Sequence, residues 1–216
     1  MPKFPEPPGV EALNGVPPST VPLSIGTRVY RIFRSRSQHP VFWNTFRFFG
    51  PTAARFDHHL PNMKGGGVVG NRGILYAAIG SHAVPTCLAE VFQGARAINR
   101  EDGDPVLCAF TLTDSLTLLD LTGPFTTRIG ASMAINTGPR GRARRWSQQL
   151  YEAYPDVHGI LYPSSMNGNH PAVALFERSS GAVPNAPDFH RQLSDPALES
   201  MILSTAKTIG YSIVDL

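Results

Sequence analysis

Lysine is nearly missing from this sequence: 3 of its 19 basic residues are Lys and 16 are Arg, against 16 acidic residues, for a net charge of +3. So small an excess gives no broad polyanion-binding face, and it places the positive charge on planar guanidinium forks suited to carboxylate and phosphate oxygens. Cysteine is scarce as well. Cys87 and Cys108 lack CxxC spacing, which excludes a zinc ribbon or thioredoxin-like motif and makes two reduced thiols the expectation. No apolar run approaches the roughly 18 residues that span a bilayer, because Thr111, Asp114 and Asp120 interrupt the longest candidate. The Pro-rich stretch Met1–Val21 lacks the apolar region of a signal peptide, so a cytoplasmic protein without membrane contact is expected.

What is present is a core-forming composition, 42% hydrophobic, broken by 20 Gly and 20 Pro that demand many turns. No internal repeat or linker divides the chain. The expectation is a Pro-rich N-terminal extension over residues 1–24 and one mixed domain over 25–216. Period-2 alternation predicts strands at Thr27–Phe33, Gly73–Ala78, Pro105–Leu112, Leu116–Leu121, His158–Tyr162, Ala172–Phe176 and Tyr211–Val214. Helical spacing predicts Val84–Asn99, with Leu88, Val91, Phe92, Ala95 and Ile98 as its buried stripe, then Ala143–Ala153 and Pro196–Thr208. Residues 39–71 read as one long irregular excursion that either covers a site or contains small unrecognised elements. Arg31 shares a strand face with Val29 and Phe33, which points it toward a cleft rather than an edge.

The generic chemistries fit poorly. Asp57, His58 and His59 are adjacent and do not converge as an i,i+4 pair would, and no HExxH is present, so no metal is expected. The GGGVVGNRG segment has neither the P-loop lysine nor a strand–GxGxxG–helix setting. Ser164 and Ser165, flanked by His158 and His170, lack a GxSxG elbow. The two Arg clusters, one in the first fifty residues and one at Arg140–Arg145, could each face an anion but have no recognition-helix context, so nucleic-acid binding is not expected; the second reads as a solvated turn, with an acceptor-binding patch as the alternative.

One ordered set of segments is more informative: VYRIFR with Arg31, ARFDHHLP with Arg55, RGILYAA with Tyr76, CLAEVF with Glu90, and GILYPSSMNGNHPAVALFE with Ser164. Together with the closing helix and strand, DPALESMILSTAKTIGYSIVDL, they resemble the RES family across roughly Thr27 to Val214, although the Tyr76–Glu90 connection and the Arg55–Gly73 loop are longer than in compact members. The resemblance implies an α+β, ADP-ribosyltransferase-like single domain with a central, partly split sheet and flanking helices. It also implies NAD as substrate, cleavage of the nicotinamide–ribose bond with phosphate or water as acceptor, and a bacterial toxin paired with an Xre-like or related antitoxin. Protein mono-ADP-ribosylation is the alternative activity, and an inactive nucleotide- or antitoxin-binding module the alternative class. A homodimer is expected only from the general prevalence of symmetric pairs.

The resemblance also implies roles. Arg31 positions the diphosphate or ribose, Arg55 adds an anion contact, and Tyr76 shapes the nicotinamide side. Glu90 supports an oxocarbenium-like state or orients the incoming acceptor, and Ser164, with Ser165 as its close competitor, hydrogen-bonds ribose or Glu90. Each also has a scaffold reading: a buried ion pair for Arg31, a framework contact for Arg55, a core aromatic for Tyr76, an exposed helix position for Glu90 and a turn brace for Ser164.

Overall fold

The computed structural model describes residues 3–36 and 41–214; positions 39–40 of the expected excursion, residues 1–2 and residues 215–216 lie outside the described residues. In chain order the elements are α1 (Val10–Asn14), β1 (Thr20–Leu23), β2 (Arg28–Arg34), β3 (Arg47–Gly50), β4 (Val68–Ile79), α2 (Ala83–Val91), β5 (Ala97–Asn99), β6 (Pro105–Thr111) and β7 (Leu116–Asp120). They continue as α3 (Phe125–Arg128), α4 (Ala134–Thr137), α5 (Arg140–Ala153), β8 (Gly159–Pro163), β9 (Pro171–Phe176), β10 (Phe189–Gln192), α6 (Glu199–Ile209) and β11 (Ser212–Val214). The fold is α+β, a mixed central sheet with flanking helices.

Among the described residues the main sheet runs β1-β7-β8-β9-β4-β2-β6-β10, with β3 also paired to β4. The β7–β8 pair is parallel and its neighbours are antiparallel. The middle of this sheet comes apart. β2 pairs with β6 along its whole length, Arg28 to Arg34, but with β4 only at Val29↔Ile79 and Tyr30↔Ala78. Beyond that point the two strands diverge, and β3 takes over the same edge of β4 from Ile74 outward. The interval on β4 between its two partners contains Tyr76, and the diverging part of β2 begins at Arg31.

Alternation along the strands builds the layers. On β9, Ala172, Ala174 and Phe176 join the core beneath α5, which includes Phe56, Ile160 and the fully buried Trp146, while Val173 and Leu175 face the opposite core with Val29, Leu75, Phe110 and Leu118. A third cluster packs α2 and α6 over Ile32, Ala78 and Leu107. The N-terminal residues are tied to this body: Phe4 stacks on Trp146, whose indole Nε1 donates to the Pro5 carbonyl at 2.9 Å, and β1 pairs with β7.

Two sequence expectations change, and one with two readings is resolved. The helix predicted to reach Asn99 ends at Val91, because Gly94 and the left-handed Arg96 (φ 49°) turn the chain into β5, which pairs in parallel with β11. Ile98 is buried there as a strand residue, and Ala95, expected in the stripe, is exposed. The excursion does contain small elements, β3 and the first residues of a β4 that begins five residues before the predicted strand. The Arg140–Arg145 cluster is the start of α5 rather than a turn; Arg145 and Arg142 both donate to Glu6, and these bonds, Arg145 foremost, hold its carboxyl at a pKa of about 2.

Gly159 marks the tightest strand contact near the centre of the sheet. A Cβ there would lie 2.6 Å from the Ala174 carbonyl oxygen and 2.9 Å from Leu175 Cα, both backbone atoms that cannot rotate away. Gly159→Ala is expected to lower stability by about 1–3 kcal/mol, read as a lower urea midpoint with an unchanged m-value.

Candidate active site

The divergence of β2 from β4 opens a cavity of about 270 Å³. Its lining includes Arg31, Arg55, Tyr76, Glu90 and Ser165 from the sequence-predicted set. Ser164 is fully buried behind it and is connected through Glu90. The structure therefore brings all six candidates to one place, with Ser165 in the wall and Ser164 in support.

Arg31 is 7% exposed. Its Nη1 donates to the carbonyls of Trp43 at 3.0 Å and Thr45 at 3.3 Å, while its Nε has no protein partner. Burial lowers its pKa to about 10, so it remains charged at neutral pH with no carboxylate paired to it among the described residues. Such a buried, half-satisfied cation is a natural anion receptor. Arg55 reaches the cavity from the 51–56 turn and is gripped by carbonyls of the segment after α3, Gly138 at 2.6 Å and Ile135 at 3.4 Å. Burial and the like charge of Arg140 lower its pKa, with Glu90 partly opposing them.

Glu90 lies on α2, which the chain can start because Pro85 falls in the first turn, where its missing N–H costs nothing. Ser164 Oγ donates to Glu90 Oε1 at 2.6 Å, and Gln93 Nε2, one helical turn on, donates to the Glu90 carbonyl at 2.6 Å and to Oε2 at 3.3 Å. Gln93 in turn accepts from Arg140 Nη2, which ties the end of α2 to the start of α5 across the cleft. The serine is fixed by its own loop. The β8–β9 connection closes through Ser164 N–H to the His170 carbonyl and Asn169 N–H to the Ser164 carbonyl, both 2.9 Å, with Gly168 and Asn169 in the left-handed region.

Tyr76 and Tyr162 supply the aromatic walls. The Tyr76 hydroxyl is buried without a hydrogen-bond partner, and burial pushes its pKa well above the usual tyrosine value. Tyr162 is raised in the same way, by burial and then by the charge of Glu90, and its ring packs on Phe56 with centroids 4.7 Å apart. Both hydroxyls therefore keep their protons at neutral pH.

Sequence reasoning reached Arg47 and Arg140 only as members of two Arg clusters, and it missed Gln93, Asn136 and Tyr162; all five line the cavity. Gln93 was within reach of such reasoning, because in the helix expected to run to Asn99 it lies three residues after Glu90 on the same face. For Asn136 and Tyr162 no local signal exists. Arg47 is held by Asp57, which accepts from Arg47 Nη2 at 2.8 Å, from Thr52 N and Oγ1 at 2.7 Å, and pairs with His59 Nδ1 at 2.5 Å. Burial raises the Asp57 pKa, but these partners outweigh it and hold the carboxyl well below the usual range. His58 is buried between Tyr151 and Phe176, with ring centroids 4.4 and 4.5 Å away. The Asp57–His59 run is thus a bracket for Arg47 and a core contact. Among the described residues no group of three or more His, Cys, Asp or Glu could hold a metal ion, and no helix is long and apolar enough to cross a membrane. Cys87 and Cys108 are free and buried.

Comparison with known proteins gives a consistent result. A family model described as the RES domain matches residues 28–194. No curated protein matches the chain. A chain of the crystal structure of the M. tuberculosis MbcT-MbcA toxin-antitoxin complex shares the fold, with a TM-score of 0.56 and 16% identity over 90% of this chain and 96% of that one.

The network behind the cleft carries a pH signature. Burial alone would raise the Glu177 carboxyl, but His58, the Tyr151 hydroxyl at 2.5 Å and the Gly73 N–H at 2.8 Å hold it at about 2, below its ordinary value of 4.5. Because the folded-state pKa is depressed, this stabilisation is complete above pH 4.5 and is lost as pH falls toward 2. Urea unfolding across that window should show stability falling with acidification, and Glu177→Gln should be less stable at neutral pH with a flatter acid limb.

Proposed function

The chain belongs to the RES domain family, and we propose that it degrades NAD by cleaving the nicotinamide–ribose bond, with phosphate or water taking the ADP-ribosyl group. The observation that carries this reading is the cleft's charge pattern. Arg31, Arg55 and Arg140 have no carboxylate partner among the described residues, and the single carboxylate in the wall, Glu90, has both oxygens oriented by neutral donors. A dinucleotide diphosphate meets the guanidiniums, led by the free Nε of Arg31 and by Arg55. Tyr76 and Tyr162 pack against the nicotinamide end.

The chemistry requires little else. As the bond to the anomeric carbon breaks, its electron pair leaves with nicotinamide, which departs neutral, and positive charge passes to the ribose ring. Glu90 lies in the wall as the compensating negative charge. Ser164 and Gln93, by donating to the two carboxylate oxygens, fix the orientation of that charge before reaction rather than acting as nucleophiles. A phosphate oxygen or a water then bonds the anomeric carbon, and a water attacker releases its proton to solvent. The proposed reaction calls on no metal.

The same reading extends to biology. We place the chain as a toxin-like enzyme held by an Xre-like or related antitoxin; a chain of similar fold was solved in a toxin-antitoxin complex. Neither nucleic-acid binding nor membrane attachment forms part of the proposal, and a homodimer stays a symmetry-based expectation.

Purified protein incubated with NAD should release nicotinamide by mass spectrometry, with ADP-ribose in phosphate-free buffer and its 1-phosphate when phosphate is the acceptor. Label passing from adenine-labelled NAD to protein would instead establish mono-ADP-ribosylation, and binding without release an inactive module. Glu90→Gln, which keeps the volume and removes the charge, should lower kcat at least about 100-fold with NAD affinity largely retained. Ser164→Ala should lower kcat by roughly tenfold, because Glu90 keeps its charge and loses one positioning bond.

A further inference from the structure

Asn136 is 2% exposed and lines the cleft from α4. Its amide orientation is determined by its neighbours. Nδ2 donates to the Leu121 carbonyl at 2.9 Å and also meets Met133 Sδ at 4.0 Å, so the nitrogen side is committed to protein acceptors. Oδ1 is then left buried with no protein donor. An unpaired buried acceptor is costly, and native structures rarely retain one unless a ligand or an ordered water satisfies it. The flanking backbone acts on a cation instead, since the carbonyls of Ile135 and Gly138, on either side of Asn136, grip Arg55. One short turn therefore presents a hydrogen-bond acceptor next to a cation it holds in place. That combination matches a ligand carrying an anionic group beside an amine or hydroxyl.

We propose that Asn136 is a specificity-determining residue whose Oδ1 accepts a hydrogen bond from an amine or hydroxyl of the dinucleotide, alongside the anion contact of Arg55. The proposal rests on the NAD reading and adds to it a recognition element outside the residues that act on the bond. Because the acceptor is buried, a ligand without the matching donor leaves Oδ1 unpaired in the complex, and discrimination follows from that penalty.

The test compares NAD with analogues that each lack one donor: nicotinamide hypoxanthine dinucleotide, without the adenine amine; nicotinic acid adenine dinucleotide, without the carboxamide amine; and the deoxy analogues of each ribose. For the wild-type protein, kcat/KM is expected to fall about tenfold or more for one of them. In Asn136→Ala that penalty should shrink to within about threefold, with the loss for NAD itself mainly in KM. Should the alanine variant not fold by circular dichroism, Asn136→Leu, which keeps the branched side-chain shape without an acceptor, takes its place. The proposal is overturned if the wild-type protein treats all the analogues as it treats NAD, or if the penalty survives undiminished in the variant; either result leaves NAD cleavage intact. A wild-type protein that neither binds nor cleaves NAD overturns the functional reading, and this inference with it.

Discussion

The separation of β2 from β4 is the constraint on which the rest of the molecule depends. Two strands that stay paired over only two register positions must satisfy their remaining backbone groups elsewhere, and each does so differently. β2 keeps its full ladder with β6, while β4 is paired by β9 on one edge and by β3 farther out on the other. The resulting gap lies between well-paired strands rather than in a mobile loop. Side chains entering it, Arg31 from one lip and Tyr76 from the other, are carried by strands paired to β6 and β9.

Charge inside that gap is arranged by asymmetry. Carbonyl groups, not carboxylates, hold Arg31 and Arg55, so their positive charge is positioned without being neutralised. Arg47 is the exception, compensated by the buried Asp57 and its His59 and Thr52 partners. Glu90 has the complementary treatment: a serine hydroxyl and a glutamine amide orient it, with no cation directly bonded among the described residues. Neutral donors and acceptors thus fix the direction of the charged groups, and their full electrostatic effect is kept for whatever enters the cleft.

The elements differ in how readily the chain declared them. The β2, β6 and β9 strands were legible because alternation or a continuous apolar run is imposed by burial on one or both faces. The helix read as continuing to Asn99 was not. Ile98 fits the helical stripe by spacing, yet it is buried by pairing with β11, which lies far along the chain. Likewise β3 is a four-residue strand whose partner in the sheet is β4, and it carries no pattern strong enough to stand alone.

For the site, the sequence by itself determined the chemical parts: few lysines and many arginines, one glutamate on a predicted helix, a serine after a strand, and the family they resemble. These are local matters of residue type and order. Only the tertiary structure decided that Ser164 lies behind Glu90 rather than in the wall, that Gln93, just past α2, meets Arg140 at the start of α5, and that Asn136 lines the cavity with its oxygen unpaired among the described residues. Those relations link residues tens of positions apart through hydrogen bonds whose geometry depends on how the split sheet and its covering helices pack. No periodicity along the chain records them.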